Sequence, residues 1–587
     1  MKLRTFSCCL QIALLLAVSE LAVTASADVK LPNVLGSGMV LQRDLPVPVW
    51  GWADAAEKVS VSFAGQTKTT TAGDDGKWMV KLDPLTANSS PARMTVTGNN
   101  KISLDNVLVG EVWICSGQSN MEWSLNASLN GKAEVSAANH PVIRLFNVPG
   151  HTTSPLPKET GAGSWQVCQP RSANGFSAVG YFFGRRLHLE LDVPVGLIGS
   201  NWGGTRIEPW TTLAGFESVP ELSEIAAQVR NYKADTKVGG GSPAAIYNSM
   251  VHPLAPFAMR GGIWYQGESN GGEGVTYYHK KHALVNGWRQ IFQNKDLAFY
   301  WVQLANFQQE NRHPAGGDGW AKIREAQTQA LDIPGTGMAV ITDIGAANDI
   351  HPRNKQDVGW RLAQWALHQT YGERDLVPAG PLYKDHKVEG DAIRLTFQYV
   401  GEGLMVGQKN GLKPTEQIQD GTLEHFAIAG VDRKWFWAEA TIDGDTVVVK
   451  SADVPEPVAV RYAFTMNPAK ANLYNKEGIP ASPFRTDRWL GPSEKLKWTE
   501  VGDDLPPKSV SGSSTTVIFQ NKAGQKVKIF WVEYGGGLKL YGELKPGGTR
   551  KQSTFANASW LITDEKDKPL GYFRTTPKVG LAVIPKR

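Results

Sequence analysis

The chain has 587 residues, 41% of them hydrophobic and 20% charged, and its 61 lysines and arginines against 56 acids leave a formal charge of +5. A balance so close to neutral, with no dense basic run, excludes a nucleic acid held through its phosphates as the partner. The length calls for roughly three or four domains instead of one core, and four cysteines are too few for a disulfide framework.

Residues 1–27 carry a basic start (Lys2, Arg4), an apolar run and Ala25-Ser26-Ala27 before Asp28. This is the pattern of a signal peptide cut after Ala27. Gln11 and Glu20 interrupt the apolar run, which is short for a membrane span. No later stretch is long and apolar enough to span either, so the expected localisation is secreted or periplasmic, with no membrane span. After cleavage Cys115 and Cys168 remain, either bonded to one another or as free buried thiols. The sequence contains no spaced metal-ligand pattern such as CxxC or HExxH, so neither metal nor cofactor is expected.

Residues 28–106 alternate apolar and polar over short runs ("VSVSFAG", "KWMVKL", "RMTVTG") punctuated by Gly, Asp and Asn. They predict a small β-sandwich. From residue 107 to 378 the texture changes. "VLVGEVWICSG", "PVGLIGSNWGG", "GGIWYQGES", "LAFYWVQLA" and "GMAVITDIG" read as buried strands, with amphipathic helical segments such as "KQDVGWRLAQWALHQTYG" between them. That alternation predicts a largely parallel α/β sheet flanked by helices, whose ligands bind at the carboxyl ends of the strands. Residues 379–500 return to β texture. Residues 501–587 read as a further module whose β segment starts at about Val510, after the linker-like "DLPPKS".

Reactive residue types follow the apolar strands at three places: Gly117-Gln118-Ser119-Asn120-Met121, Asn201-Trp202-Gly203-Gly204-Thr205-Arg206, and Gln266-Gly267-Glu268-Ser269-Asn270. A fourth segment, Asp349-Ile350-His351-Pro352, precedes a helix. Together they suit acyl transfer. A serine hydroxyl needs a neighbouring base, usually histidine, and the histidine needs an orienting acceptor. The tetrahedral oxyanion needs fixed donors, which the Gly203-Gly204 backbone and the amides of Gln266 or Asn270 could supply. Taken singly each piece is weak, because Ser119 alone reads as a turn serine and Met121 breaks the G-x-S-x-G elbow.

The four blocks "VWICSGQSNMEW", "NWGGTRIEPW", "IWYQGESN" and "DIHPRNKQDVGWRLA", in that order, closely resemble the sialate O-acetylesterase family. These are carbohydrate O-acetylesterases of the SGNH (GDSL-like) hydrolase superfamily, and the resemblance covers roughly residues 28–490. It implies Ser119 as nucleophile, His351 as base, and the Ser119 N–H, Gly204 and Gln266 as oxyanion donors. Where many SGNH hydrolases place the orienting acid, three residues before the histidine, this chain has Asn348. Asp349 is therefore the expected orienter, with Asn348, a backbone carbonyl or Asp343 as alternatives. Trp123 is either a sugar platform or core. Arg206 either meets a sugar carboxylate or pairs with Glu208, and Asn270 could bind substrate. The expected partner is an O-acetylated sugar or polysaccharide, sialic acid or xylan, and the rival reading is a glycan-binding protein on an esterase scaffold.

From about residue 510 to 585 the sequence resembles the β-domain of the von Hippel-Lindau tumour suppressor, through its "F-N" strand, "Y-x-x-L-x-P-G" and closing "WLI". The resemblance implies a hydroxyproline pocket at Tyr541, Ser553 and Trp560. Ala558 stands where that pocket's histidine is expected, which leaves the ligand of this module open.

Overall fold

The computed structural model describes residues 28–487, 494–502 and 506–586. The signal-peptide reading of residues 1–27 lies outside the described residues. Seven strands of the central sheet are labelled here in chain order: β1 (Lys101–Gly117), β2 (His140–Asn147), β3 (Trp165–Cys168), β4 (Val195–Asn201), β5 (Gly261–Tyr265), β6 (Ala298–Val302) and β7 (Thr336–Ala339). They lie side by side in the order β7-β6-β5-β1-β4-β2-β3. Every pairing is parallel except β2 with β3. β5, β6 and β7 are buried along their whole length, which is why they read as continuous apolar runs without alternation.

The N-terminal strands are not a closed unit. Lys58–Phe63, Gln66–Thr71 and Asn88–Thr97 form a sheet that runs into β1 without a break, while Val47–Trp52 and Lys77–Leu82 pair as a separate ladder. The expected boundary at 106/107 falls inside β1, a single strand of 17 residues. One hydrophobic core extends from Val29 through the α/β region. β1 is shared because its first half alternates against the N-terminal sheet while its second half is buried on both faces.

Two helices matter for the site. α2 (Ala178–Leu191) starts at Ser177, whose hydroxyl accepts the Gly180 N–H at 3.1 Å. α5 (Lys355–Trp365) starts at Asn354, whose amide oxygen accepts the Asp357 N–H at 3.1 Å. Both are ordinary N-caps that satisfy a backbone donor without an intrahelical partner. Between them in sequence come α3 (Val275–Ile291) and α4 (Ala321–Gln329). A one-turn helix, α1 (Ser119–Glu122), follows β1 directly.

Residues 382–485 form several antiparallel sheets around a core of their own. They are sutured to the α/β region by Arg324 of α4. Its guanidinium is fully buried and donates to the carbonyls of Leu304 (2.8 Å), Thr465 (2.6 Å) and Met466 (2.9 Å). The strands from Ser514 onward, joined by the short strands Glu494–Lys495 and Thr499–Glu500, form two further sheets around a third core. Cys115 and Cys168 are both free and buried, so the sequence alternatives resolve to separate thiols. Among the described residues, no helix is long and apolar enough to cross a membrane.

Candidate active site

The site is built at the carboxyl end of β1. Gly117, the last residue of that strand, has φ 139°. A Cβ there would lie 2.1 Å from the Tyr265 carbonyl oxygen, so only glycine lets the chain leave the sheet so close to β5. The next amide, Gln118 N–H, donates to the same carbonyl at 3.0 Å. The turn fixes Ser119 at the start of α1.

His351 arrives from the segment between β7 and α5. Its Nε2 accepts the Ser119 hydroxyl at 2.9 Å, across 232 positions of sequence. The indole of Trp123 covers the imidazole in a near-parallel stack, with centroids 5.0 Å apart and planes at 18°. Trp123 is half-buried, with part of its surface open to solvent. Its ring positions His351. Burial, and next the positive charge of Lys355, push the His351 pKa down, against a smaller upward pull from Asp349. Both effects favour the neutral imidazole, the form a base requires.

Asp349 is placed loosely. Its Oδ1 lies 3.7 Å from His351 Nδ1, beyond hydrogen-bond range, and the carboxylate is 41% exposed. The same oxygen accepts the backbone N–H of His351 at 2.8 Å, an Asx-type turn that shapes the loop. Asn348 is exposed. Asp343, the other alternative, forms a bidentate pair with Arg361 at 2.6 and 2.7 Å, and both side chains are 3% exposed. It is a strand-end structural carboxylate.

Beneath the Ser119–His351 pair lies a buried polar chain that sequence reasoning missed. Asn120 donates through Nδ2 to Glu268 Oε1 (2.6 Å) and to the Ile350 carbonyl (3.0 Å), and its Oδ1 accepts the Lys355 ammonium (2.5 Å). Burial raises the Glu268 pKa and lowers that of Lys355 to about 7. Lys355 sits over the rings of Tyr265 and Trp123, with Nζ 5.2 and 5.8 Å from their centroids. Asn120 and Lys355 are the residues that tie the nucleophile's turn to the histidine's loop. Glu268 and Lys355 both stand in the motif blocks, but nothing in the sequence tells an internal charged pair from a solvated one.

Three of the expected site residues are engaged elsewhere. Gln266 is fully buried and its amide N–H groups go to the Thr205 carbonyl (3.2 Å) and Asn270 Oδ1 (2.8 Å). No donor is left for an oxyanion, so that expectation is corrected. Asn270, 1% exposed, accepts from the Ile207 N–H and Gln266 and donates to Glu208 and Glu273. It is a saturated internal joint with no face for substrate. The Arg206 guanidinium pairs with Glu208 at 3.0 Å and with Glu273, and donates to the Ser269 carbonyl. Of its two readings the ion pair is the one observed. Gly204 is different. It has φ +74° and open space around its Cβ position, and its N–H has no partner among the described residues.

Comparison with known proteins points to the carbohydrate esterases. Residues 109–368 match the model of the "Carbohydrate esterase, sialic acid-specific acetylesterase" family. A solved structure described as a novel carbohydrate acetylesterase from Xanthomonas citri is 40% identical. It superposes with a TM-score of 0.70, covering 79% of this chain and 100% of its own. The chain belongs to the carbohydrate acetylesterase family. Rat sialate O-acetylesterase is 29% identical over 542 residues, 80% of this chain and 96% of its own length. The human enzyme is 29% identical over 508 residues, 78% and 93% respectively. The family blocks thus fall at the four chain segments that meet at Ser119.

The tail, residues 508–572, matches the VHL beta domain. Tyr541 packs edge-on against Trp560 with centroids 5.0 Å apart, and Trp560 is 2% exposed. Ala558 is wholly buried, so the place expected for a pocket histidine is filled by core methyl.

Proposed function

We propose that the protein is an exported serine esterase that removes acetyl groups from sugar hydroxyls. The observation that carries this reading is the 2.9 Å contact between Ser119 Oγ and His351 Nε2. His351, in its neutral form, takes the serine proton as Oγ attacks the acetyl carbonyl carbon. The tetrahedral oxyanion draws on the N–H groups of Ser119 and Gly204, for which no partner occurs among the described residues. The imidazolium then gives its proton to the departing sugar oxygen, leaving acetyl-Ser119 and a free sugar hydroxyl. Water, deprotonated by His351, attacks the acetyl-serine, and acetate leaves as Ser119 recovers its proton.

Of the two readings open for Arg206, a sugar carboxylate or an ion pair, the pair with Glu208 and Glu273 is the one formed. This favours an acetylated neutral polysaccharide, xylan among them, within the same reaction class. The export reading rests on the pattern of residues 1–27. A serine-directed phosphonate tests the chemistry. Stoichiometric labelling at Ser119, abolished by His351→Ala, supports the esterase. An unlabelled Ser119 in folded protein favours the glycan-binding rival.

A further inference from the structure

A second carboxylate–imidazole pair stands beside the nucleophile. Glu122 closes α1, three residues after Ser119 on the same turn. Its Oε2 accepts the Gly203 backbone N–H at 2.7 Å, and its Oε1 meets His151 Nε2 at 2.7 Å. The His151 ring lies flat on Trp202, with centroids 4.8 Å apart and planes at 6°. Trp202 precedes Gly203 and is anchored by its N–H to the Gly117 carbonyl at 3.0 Å. A closed circuit results: from the Ser119 turn to Glu122, to the Gly203 amide, to Trp202, to His151 and back to Glu122. Gly203 also presses on the nucleophile's turn, since a Cβ there would lie 3.2 Å from Ser119 Cβ.

Two consequences follow. The Gly203 N–H is spent on a carboxylate and is not available to an oxyanion, and the orientation of the 203–204 segment is set by that grip. Gly204, with the unpartnered N–H, is the next residue. A carboxylate is a better anchor than an amide oxygen because charge-assisted hydrogen bonds are roughly twice as strong. Yet Glu122 and His151 are 36% and 43% exposed, and pairs so exposed contribute little to stability. Their arrangement around a loop of the site therefore points to a role other than holding the fold.

We infer that Glu122, steadied by His151, is a positioning residue that aims the Gly204 N–H at the reacting carbonyl. This rests on the esterase reading above. The experiment uses the full chain with 4-nitrophenyl acetate and an acetylated xylo-oligosaccharide. Glu122→Met removes the acceptor at similar size and is expected to lower kcat roughly ten- to a hundredfold on both esters with KM within twofold, below the 10²–10³ of deleting an oxyanion donor outright. Glu122→Gln keeps an acceptor for Gly203 and is expected to restore kcat to within about threefold. His151→Phe keeps the stack on Trp202 and loses the Nε2 contact, so its kcat falls between the two. A melting temperature close to wild type separates positioning from misfolding. Should Glu122→Met melt early, the Glu122→Gln and His151→Phe pair carries the comparison. Wild-type kcat in Glu122→Met, or a change confined to KM on the sugar ester, overturns the inference and leaves the esterase reading standing. A wild-type chain with no serine-dependent turnover of either ester overturns both.

Discussion

Replacing Asp349 by asparagine separates a tight catalytic triad from a dyad with a distant charge. In a triad with a buried, hydrogen-bonded aspartate, this substitution costs about 10⁴ in kcat. Here the carboxylate oxygen stands 3.7 Å from His351 Nδ1 and the side chain is 41% exposed. Two unit charges at that distance attract by about 1 kcal/mol in a water-like dielectric and by about 4 kcal/mol at an effective value of 20. The exposure places this pair near the first figure. The imidazolium formed in the transition state thus loses about 1 kcal/mol, a five- to tenfold fall in kcat. Asparagine retains an oxygen for the His351 backbone N–H, so the loop keeps its shape. The assay is kcat on 4-nitrophenyl acetate for Asp349→Asn beside Asn348→Ala, which should be close to wild type. A loss of a thousandfold or more would refute the reasoning and restore a tight triad. A larger loss at Asn348 would move the orienter there.

Three further outcomes rest on the polar chain below the site. Lys355→Met should move the acid limb of kcat/KM against pH upward. The Lys355 charge disfavours the imidazolium and its removal raises the His351 pKa, and an amine with a pKa of about 7 is charged over the range where His351 gains its proton. A limb that stays put or moves down contradicts the assignment, with Asp349 as the other charged group facing the imidazole. Asn120→Ala strips the partner from a buried carboxylate and a buried ammonium together, and should cost about 3–5 kcal/mol of stability, read by denaturant titration. A change below about 1 kcal/mol would show that the two groups find one another directly. Cys115 and Cys168, whose pKa values burial drives up, to about 12 for Cys168, should resist a thiol reagent in native protein and react only after denaturation. Reaction at native rates would place either thiol at the surface.

Much of the architecture was legible because a buried parallel strand leaves a plain mark, an unbroken apolar run ended by small and polar residues. β1, β4, β5, β6 and β7 all carry it. The expected boundary at 106/107 falls inside β1 because that strand changes character half-way: alternating where one face is covered, continuous where both are. The end of the run marked Ser119, and the histidine ahead of a capped helix marked His351. What the sequence withheld was engagement. Gln266, Asn270 and Arg206 have side chains suited to substrate, and only the fold shows that their donors are already used by Thr205, Glu208, Glu273 and one another. Glu122, His151 and Lys355 were hidden for the opposite reason. Charged residues at ordinary spacings look solvated, and the partners that give them a role come from distant segments, as with the 29 positions between Glu122 and His151.

The most direct test of the central claim is acetate release by the purified chain from a panel of acetylated xylan, 9-O-acetyl sialic acid and 4-nitrophenyl acetate, with Ser119→Ala in parallel. The account predicts turnover that falls to background in the variant while its melting temperature stays near wild type, with acetylated polysaccharide preferred over the sialic acid ester. Turnover that persists in Ser119→Ala, or silence of the wild type on every ester, would contradict it.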